Sequence, residues 1–106
     1  MSESILCLGI ECTAHTFGVS IVSSEGEILS DVRDAYVPPI GKGIHPREAA
    51  QHHSQVCAGV VERSFKVAKK KPSEIDAVAV SLGPGLGPAL RTGATVARGI
   101  AAILDR

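Results

Sequence analysis

Two contrasting runs of apolar residues open the chain and predict its first strands. The run Ile5–Ile10 is continuously apolar, which is typical of a strand buried on both faces. Beyond the polar stretch ECTAHT the apolar residues alternate, which places Phe17, Val19 and Ile21 on one face. The turn SSEGE, in which Gly26 can take a positive φ, leads into the more polar ILSDVRDAYV, predicted as an edge strand. Together the three runs predict an antiparallel meander.

A helical spacing replaces this pattern after a loop rich in proline and glycine, residues 38–46. Pro46 suits the first position of a helix, and from there apolar residues recur on one helical face. The run KKKP ends the pattern, because Pro72 disfavours helix before it and the cations suit a helix C-terminus. The spacing therefore predicts a helix over residues 46–69.

A short strand and a second helix complete the predicted order of elements. The apolar run IDAVAVSL indicates a buried strand, and the glycine-rich turn GPGLGP follows it directly. An almost uncharged helical pattern then covers residues 88–104. In the order β-β-β-α-β-α a helix precedes the last strand, so that strand is expected to run parallel to a neighbour. The sequence predicts an α/β fold.

Composition narrows the class of protein further. The chain is 44% apolar but only 3% aromatic, so its core must be built from aliphatic side chains. Eleven basic and eleven acidic residues cancel, and no global charge points to nucleic acid or to a membrane. The start of the chain resembles neither a signal peptide nor a membrane span. Three cysteines without a CxxC pair predict free thiols and a cytoplasmic protein.

The turn before the second helix is the first candidate for binding chemistry. Gly83, Gly85 and Gly87 follow a strand, where glycine lets the backbone approach a ligand and the next helix can face an anion. The spacing matches neither a Walker A motif nor a Rossmann fingerprint, and a purely structural turn is an equal alternative. Residues without large side chains recur along the helix and favour tight packing over ligand contact: Ala89, Gly93, Ala97 and Ala101.

A second turn of small residues, between the first two strands, is the other candidate. It presents Glu11, Thr13, His15 and Thr16, whose polar side chains can contact phosphate or a metal-bound substrate. A plain hairpin with locally bonded hydroxyl groups is the alternative. Because both turns follow predicted buried strands, they are expected at one edge of the sheet, where open α/β folds bind ligands.

The chain resembles one protein family in three separate stretches: LGIECTAHTFGVSIV, KGIHPREAAQHH and IDAVAVSLGPGLGPALRTGATVARGIA. This is the universal tRNA threonylcarbamoyladenosine transferase family, in the archaeal and eukaryotic form that belongs to the KEOPS complex. The resemblance covers about residues 5–104 and implies an actin-like ATPase fold, whose first lobe has the order β-β-β-α-β-α-β-α. Residues 1–106 would be the N-terminal portion of that first lobe, and the lobe would be incomplete.

The resemblance implies that the parent protein is an enzyme. Family members move a threonylcarbamoyl group from threonylcarbamoyl-AMP to N6 of the adenosine next to the anticodon, in tRNAs that read ANN codons. They hold a nucleotide, ATP or threonylcarbamoyl-AMP, and an iron or zinc ion that can polarise the acyl carbonyl. The residues that would face the nucleotide or substrate are Glu11, His15, Thr16, Gly83, Gly85 and Gly87.

No metal ligands are predicted within the chain itself. In the resembling family they come from an HxxxH motif and a later Asp, both outside this sequence. His45, His52 and His53 have neither HxxxH nor HExxH spacing, and the adjacent pair is expected on different helix faces. Since the cleft of this fold needs two lobes, the fragment alone is expected to be inactive.

The resemblance also implies partners. A small dimeric KEOPS subunit would dock on helices 46–69 and 88–104, although packing on further parts of the parent is the alternative. An atypical small kinase subunit, possibly fused in the parent, and tRNA would complete the complex, with no membrane. The run Lys66–Lys71 is more typical of a solvated helix end than of tRNA contact. The other class left open is a lobe of a different actin-like ATPase or sugar kinase.

Overall fold

A mixed sheet organises residues 4–106, the part of the chain that the computed structural model describes. Strands β1 (Leu6–Glu11), β2 (Thr16–Ser23) and β3 (Ile28–Ala35) form an antiparallel meander. Strand β4 (Ala77–Val80) pairs in parallel with β1, so the order across the sheet is β3-β2-β1-β4. The predicted meander, the edge position of β3 and the parallel last strand are all confirmed.

Two helices cover one face of this sheet. Helix α1 (Pro46–Ala68) is capped by His45, whose Nδ1 accepts a hydrogen bond from the N–H of Arg47. It packs on β2 and β3, while α2 (Gly87–Leu104) packs on β4, β1 and α1. Both helices agree with the predicted ranges to within one residue. In the described part of the chain, neither has the length and hydropathy needed to cross a lipid bilayer.

The core lies between the two helices and the sheet face beneath them. Helix α1 contributes Val60 to this core, and α2 contributes Ala89 and Ala97. Alternate residues of β1 and β2 supply most of the rest: Leu6, Leu8, Ile10, Phe17, Val19 and Ile21. Burying an aliphatic or aromatic side chain of this size stabilises the fold by roughly 1.5–3 kcal/mol. As the composition requires, the core is almost entirely aliphatic.

Small residues on α2 allow the helix to approach the end of β1 closely. A Cβ added to Gly93 would lie 2.8 Å from the Cβ of Cys12, closer than two such carbons can come. The Cys12 thiol donates a hydrogen bond to the carbonyl of Ala89 at 3.1 Å. Ala89, Gly93 and Ala97 are buried, so tight packing is confirmed as the reason for this row of small residues.

The exposure of the other sheet face contradicts one prediction about burial. The continuous apolar run of β1 predicts burial on both faces and that of β4 predicts a buried strand, but in β4 Ala77 and Ala79 are exposed. In β1, Leu6, Leu8 and Ile10 are buried, whereas Cys7 and Gly9 between them are only half-buried. The prediction is wrong because, within residues 4–106, both helices pack on the same face.

Candidate functional site

The glycine-rich loop and the turn between β1 and β2 are in contact at one edge of the sheet. The N–H of Leu86 donates a hydrogen bond to the carbonyl oxygen of Thr13, at 2.7 Å. A Cβ on Gly85 would collide with that oxygen and lie 2.9 Å from the Cβ of Thr13. Because β1 and β4 are parallel, both loops leave the sheet at carboxyl ends of strands. The predicted meeting of the two turns is confirmed.

The β1–β2 turn, residues 12–15, is fixed through three successive carbonyl groups that bond to three different elements. The Thr13 carbonyl accepts from the glycine-rich loop, as described above. The Ala14 carbonyl lies 2.7 Å from Nε2 of His53 on α1. The His15 carbonyl accepts from the N–H of Tyr36, just beyond β3, also at 2.7 Å. The backbone of the turn is therefore held from three directions.

Glu11 is tied to the same turn through its carboxylate. Its Oε1 accepts a hydrogen bond from the N–H of Thr13 at 2.8 Å, and a second one from the hydroxyl group of Thr13. Glu11 is otherwise exposed at the end of β1. These bonds orient a carboxylate at the sheet edge where β1 ends.

A depression of about 670 Å³ lies on the uncovered sheet face next to this turn. Glu11 and Thr16, two of the predicted site residues, line it. The other four predicted residues, His15, Gly83, Gly85 and Gly87, are not among its lining residues. The structure thus brings the glycine-rich loop to the β1–β2 turn, but of the six predicted residues only Glu11 and Thr16 reach the depression.

Two charged residues of β3 also line the depression and were not singled out from the sequence. Arg33 forms an ion pair with Asp31 at 2.8 Å, and the Ser20 hydroxyl donates to Asp31 at 3.1 Å. The hydrogen bond from Arg33, followed by the one from Ser20, lowers the pKa of the Asp31 carboxyl. The alternating polar residues of SDVRD were the available signal, but they indicate only an edge strand.

A chain of polar contacts connects β3 to the β1–β2 turn through α1. Nε2 of His52 lies 2.9 Å from Oδ1 of Asp34, and Nδ1 of His52 lies 2.8 Å from Nδ1 of His53. His53 is fully buried and reaches Ala14 with its other nitrogen. The prediction that the two histidines point to different faces is wrong, because their rings turn toward each other. Burial is the main cause that lowers the pKa of His53.

The described residues do not fit the iron or zinc ion that the resemblance implies. Among residues 4–106, no three His, Cys, Asp or Glu side chains are placed to share a metal ion. His45 caps α1, and the facing nitrogens of His52 and His53 are bonded to each other.

The order of the elements and their sheet define an α/β protein, with the order β-β-β-α-β-α that is predicted for the actin-like ATPase fold. Among solved structures, YeaZ from Pseudomonas aeruginosa superimposes with a TM-score of 0.74 at 20% identity. The match covers 96% of this chain and 40% of that one. At this level of identity the likeness concerns the fold alone.

Sequence comparison gives the family. The sequence model of TsaD, tRNA N6-adenosine threonylcarbamoyltransferase, matches residues 27–106. A protein of that name from Hyperthermus butylicus is 59% identical over 101 residues, which are 94% of this chain and 28% of the relative. One from Methanopyrus kandleri is 52% identical, over 95% of this chain and 29% of the relative. The chain belongs to the tRNA N6-adenosine threonylcarbamoyltransferase family, and spans less than a third of the length of these relatives.

Proposed function

We propose that the parent of this chain is a tRNA threonylcarbamoyltransferase. It moves the threonylcarbamoyl group from threonylcarbamoyl-AMP to N6 of the adenosine next to the anticodon, in tRNAs reading ANN codons. A bond forms between N6 and the carbamoyl carbon, the bond to the phosphate oxygen breaks, and N6 loses a proton while AMP leaves. The observation that carries this proposal is the family match, with identities of 59% and 52% to two relatives of that name.

The described residues would bind and orient the nucleotide end of the substrate. His15 comes from the β1–β2 turn, Glu11 and Thr16 from the strand ends on either side of it, and Gly83, Gly85 and Gly87 from the loop that contacts the turn. The direct bond from Leu86 to Thr13 supports a single surface made of both loops. An iron or zinc ion would be held by residues outside this chain. The proposal places the protein in the cytoplasm, which suits its three free cysteines.

We also propose a docking role for α1 and α2, toward the small dimeric KEOPS subunit. A groove of about 720 Å³ lies between the two helices and is lined by apolar side chains, among them Val61, Phe65, Val96 and Ile100. Four lysines and one glutamate border it: Lys66, Lys69, Lys70, Lys71 and Glu62, which forms an ion pair with Lys66 at 3.2 Å. An apolar groove with a basic rim suits a partner helix with an apolar face flanked by acidic residues. The atypical kinase subunit and tRNA would bind elsewhere on the complex.

Transfer by the purified parent protein tests the enzymatic proposal. With tRNA and threonylcarbamoyl-AMP made from labelled threonine, label should enter the adenosine next to the anticodon. Thr16→Val should lower kcat/KM roughly tenfold if the hydroxyl contacts substrate, an effect typical of one lost hydrogen bond.

Thr95→Val is the matched control, because Thr95 is exposed on α2 and its hydroxyl donates only to the Arg91 carbonyl. It should leave kcat/KM unchanged. A parent protein that leaves tRNA unlabelled but phosphorylates a sugar with ATP would overturn the proposal in favour of a sugar kinase.

A further inference from the structure

One side chain has a distinct place among the bonds that hold the β1–β2 turn. The carbonyls of Thr13 and His15 accept from backbone N–H groups, whereas the Ala14 carbonyl lies 2.7 Å from the ring of His53. His53 reaches it from the middle of α1 and is fully buried against Phe17, with ring centroids 5.9 Å apart. The position of the turn relative to α1 therefore depends on a side chain that can be exchanged.

Counting donors and acceptors assigns the protons along this chain of contacts. A carbonyl oxygen only accepts, so His53 must donate from Nε2. When His53 is neutral, its Nδ1 accepts, and His52 must then donate from its own Nδ1. Nε2 of His52 faces the Asp34 carboxylate, which accepts as well. The Asp34 carboxylate thus holds the His52 ring with its Nδ1 toward His53, and that nitrogen is the donor.

The charges around His53 support its neutral form. Burial lowers its pKa, and so do the neighbouring His52 and His15, while Glu11 and the bond to Ala14 act in the opposite direction. Beyond His52, Asp34 is also approached by Arg63, at 3.9 Å. A second proton on His53 would remove the acceptor that Nδ1 of His52 needs.

We propose that His53 is a positioning residue for the candidate site, which it serves by donating from Nε2 to Ala14 in a tautomer set by the Asp34–His52 pair. The bond holds the β1–β2 turn at the spacing that lets Thr13 meet the glycine-rich loop and lets Glu11 and Thr16 face the depression. The inference deepens the proposed function, and any role of His53 in catalysis rests on that function. The structural claim, that His53 holds the β1–β2 turn in place, can be tested without measuring activity.

Ring-nitrogen NMR of the ligand-free chain tests the proton assignment. A long-range proton–nitrogen correlation at neutral pH should show His53 as a neutral ring protonated at Nε2, and His52 with a proton on Nδ1. Asp34→Asn removes the carboxylate that orients the His52 ring, and the His53 ring should then no longer be confined to one tautomer. A His53 ring protonated at Nδ1, or exchanging rapidly between both forms, would overturn the proposal.

Amide hydrogen exchange of variants tests the positioning role. His53→Leu keeps an apolar side chain but removes the donor, so exchange of the Leu86 and Tyr36 amides should accelerate about tenfold. His53→Gln retains an N–H near the position of Nε2 and should restore most of the protection. Gln55→Leu, at an exposed position of α1, is the control and should leave both amides protected.

Two outcomes would contradict the positioning role. If His53→Leu protects both amides as well as the wild type does, the donor is dispensable. If His53→Leu and His53→Gln lose protection equally, His53 acts through packing alone. In the parent enzyme, His53→Leu should lower kcat/KM with rescue by His53→Gln. If the parent has no transferase activity, the exchange data still decide the structural claim, and only the proposed function fails.

Discussion

At the scale of single residues, two glycines of α2 differ in the space around them. Gly93 faces Cys12 so closely that a Cβ would stand 2.8 Å from another carbon. Gly99, further along α2, is exposed, with nothing within 4 Å of the place where its Cβ would be. Helix propensity favours alanine at both positions, so the contact with Cys12 distinguishes them.

Gly93→Ala should lower the free energy of unfolding by about 1–3 kcal/mol, because overpacking outweighs the gain in helix propensity. Gly99→Ala should raise it by up to about 1 kcal/mol, since only the propensity changes. Urea unfolding of both variants followed by circular dichroism measures the difference. Equal effects at the two positions would contradict the close packing of α2 on Cys12.

The buried histidine predicts how stability depends on pH. The pKa of His53 is lower in the folded chain than its ordinary value of 6.5, so below that pH the unfolded chain binds more protons. Its contribution to stability should be complete above about pH 6.5 and should decline as the pH falls from there toward the folded pKa. Urea midpoints of the wild type should fall over this range, and those of His53→Gln should fall less. Parallel curves would mean that His53 titrates normally.

At the scale of elements, the contact between the glycine-rich loop and the β1–β2 turn determines the shape of the candidate site. Leu86 bonds to Thr13, and the backbone of Gly85 lies where a side chain would meet the Thr13 carbonyl. The structural reading of the glycine-rich turn therefore holds at Gly85. At Gly83, where the space beside the backbone is open, contact with a ligand is still a prediction.

Gly85→Ala should separate the two loops. The new Cβ would meet backbone atoms, which cannot turn away as a side chain can, so we expect a loss of about 1–3 kcal/mol in stability. The Leu86 amide should also exchange faster with solvent. Gly59→Ala, in open space on α1, should be neutral or stabilising. A Leu86 amide that remains protected in Gly85→Ala would contradict the contact.

Helices and strands were predictable from the sequence where one period of apolar residues determines the type of element. The helical spacing after Pro46 and the alternation of Phe17, Val19 and Ile21 each involve residues close in sequence. The bonds from Asp34 to His52 and from His53 to Ala14 depend instead on how α1 lies across the sheet. Helical spacing gives the direction of a Cβ but not the rotamer, so it missed that two adjacent rings meet.

At the scale of the whole molecule, the two sides of the sheet differ. Both helices of the described residues cover one face and leave a groove between them, rimmed by lysines. The other face carries the depression near the β1–β2 turn. A docking partner on the helices would therefore lie across the sheet from the depression, and both could be occupied at once.

The groove predicts a specific effect on docking. Ile100→Glu places a carboxylate among apolar side chains, and binding of the small dimeric KEOPS subunit should weaken at least about tenfold. Ile103→Glu is the control on the same helix, because Ile103 is 84% exposed and does not line the groove. Isothermal titration gives both affinities, and thermal melts check that each variant is folded. If both variants bind equally well, this groove is not the docking surface.

The three-point attachment of the β1–β2 turn has a consequence for how this segment can change. Backbone carbonyls exist at every residue, so Thr13, Ala14 and His15 can exchange their side chains while the attachments persist. Adding or removing one residue would shift all three carbonyls out of step with Leu86, His53 and Tyr36 together. Substitutions of side chains in this segment should therefore preserve its attachment, whereas insertions or deletions should disrupt it.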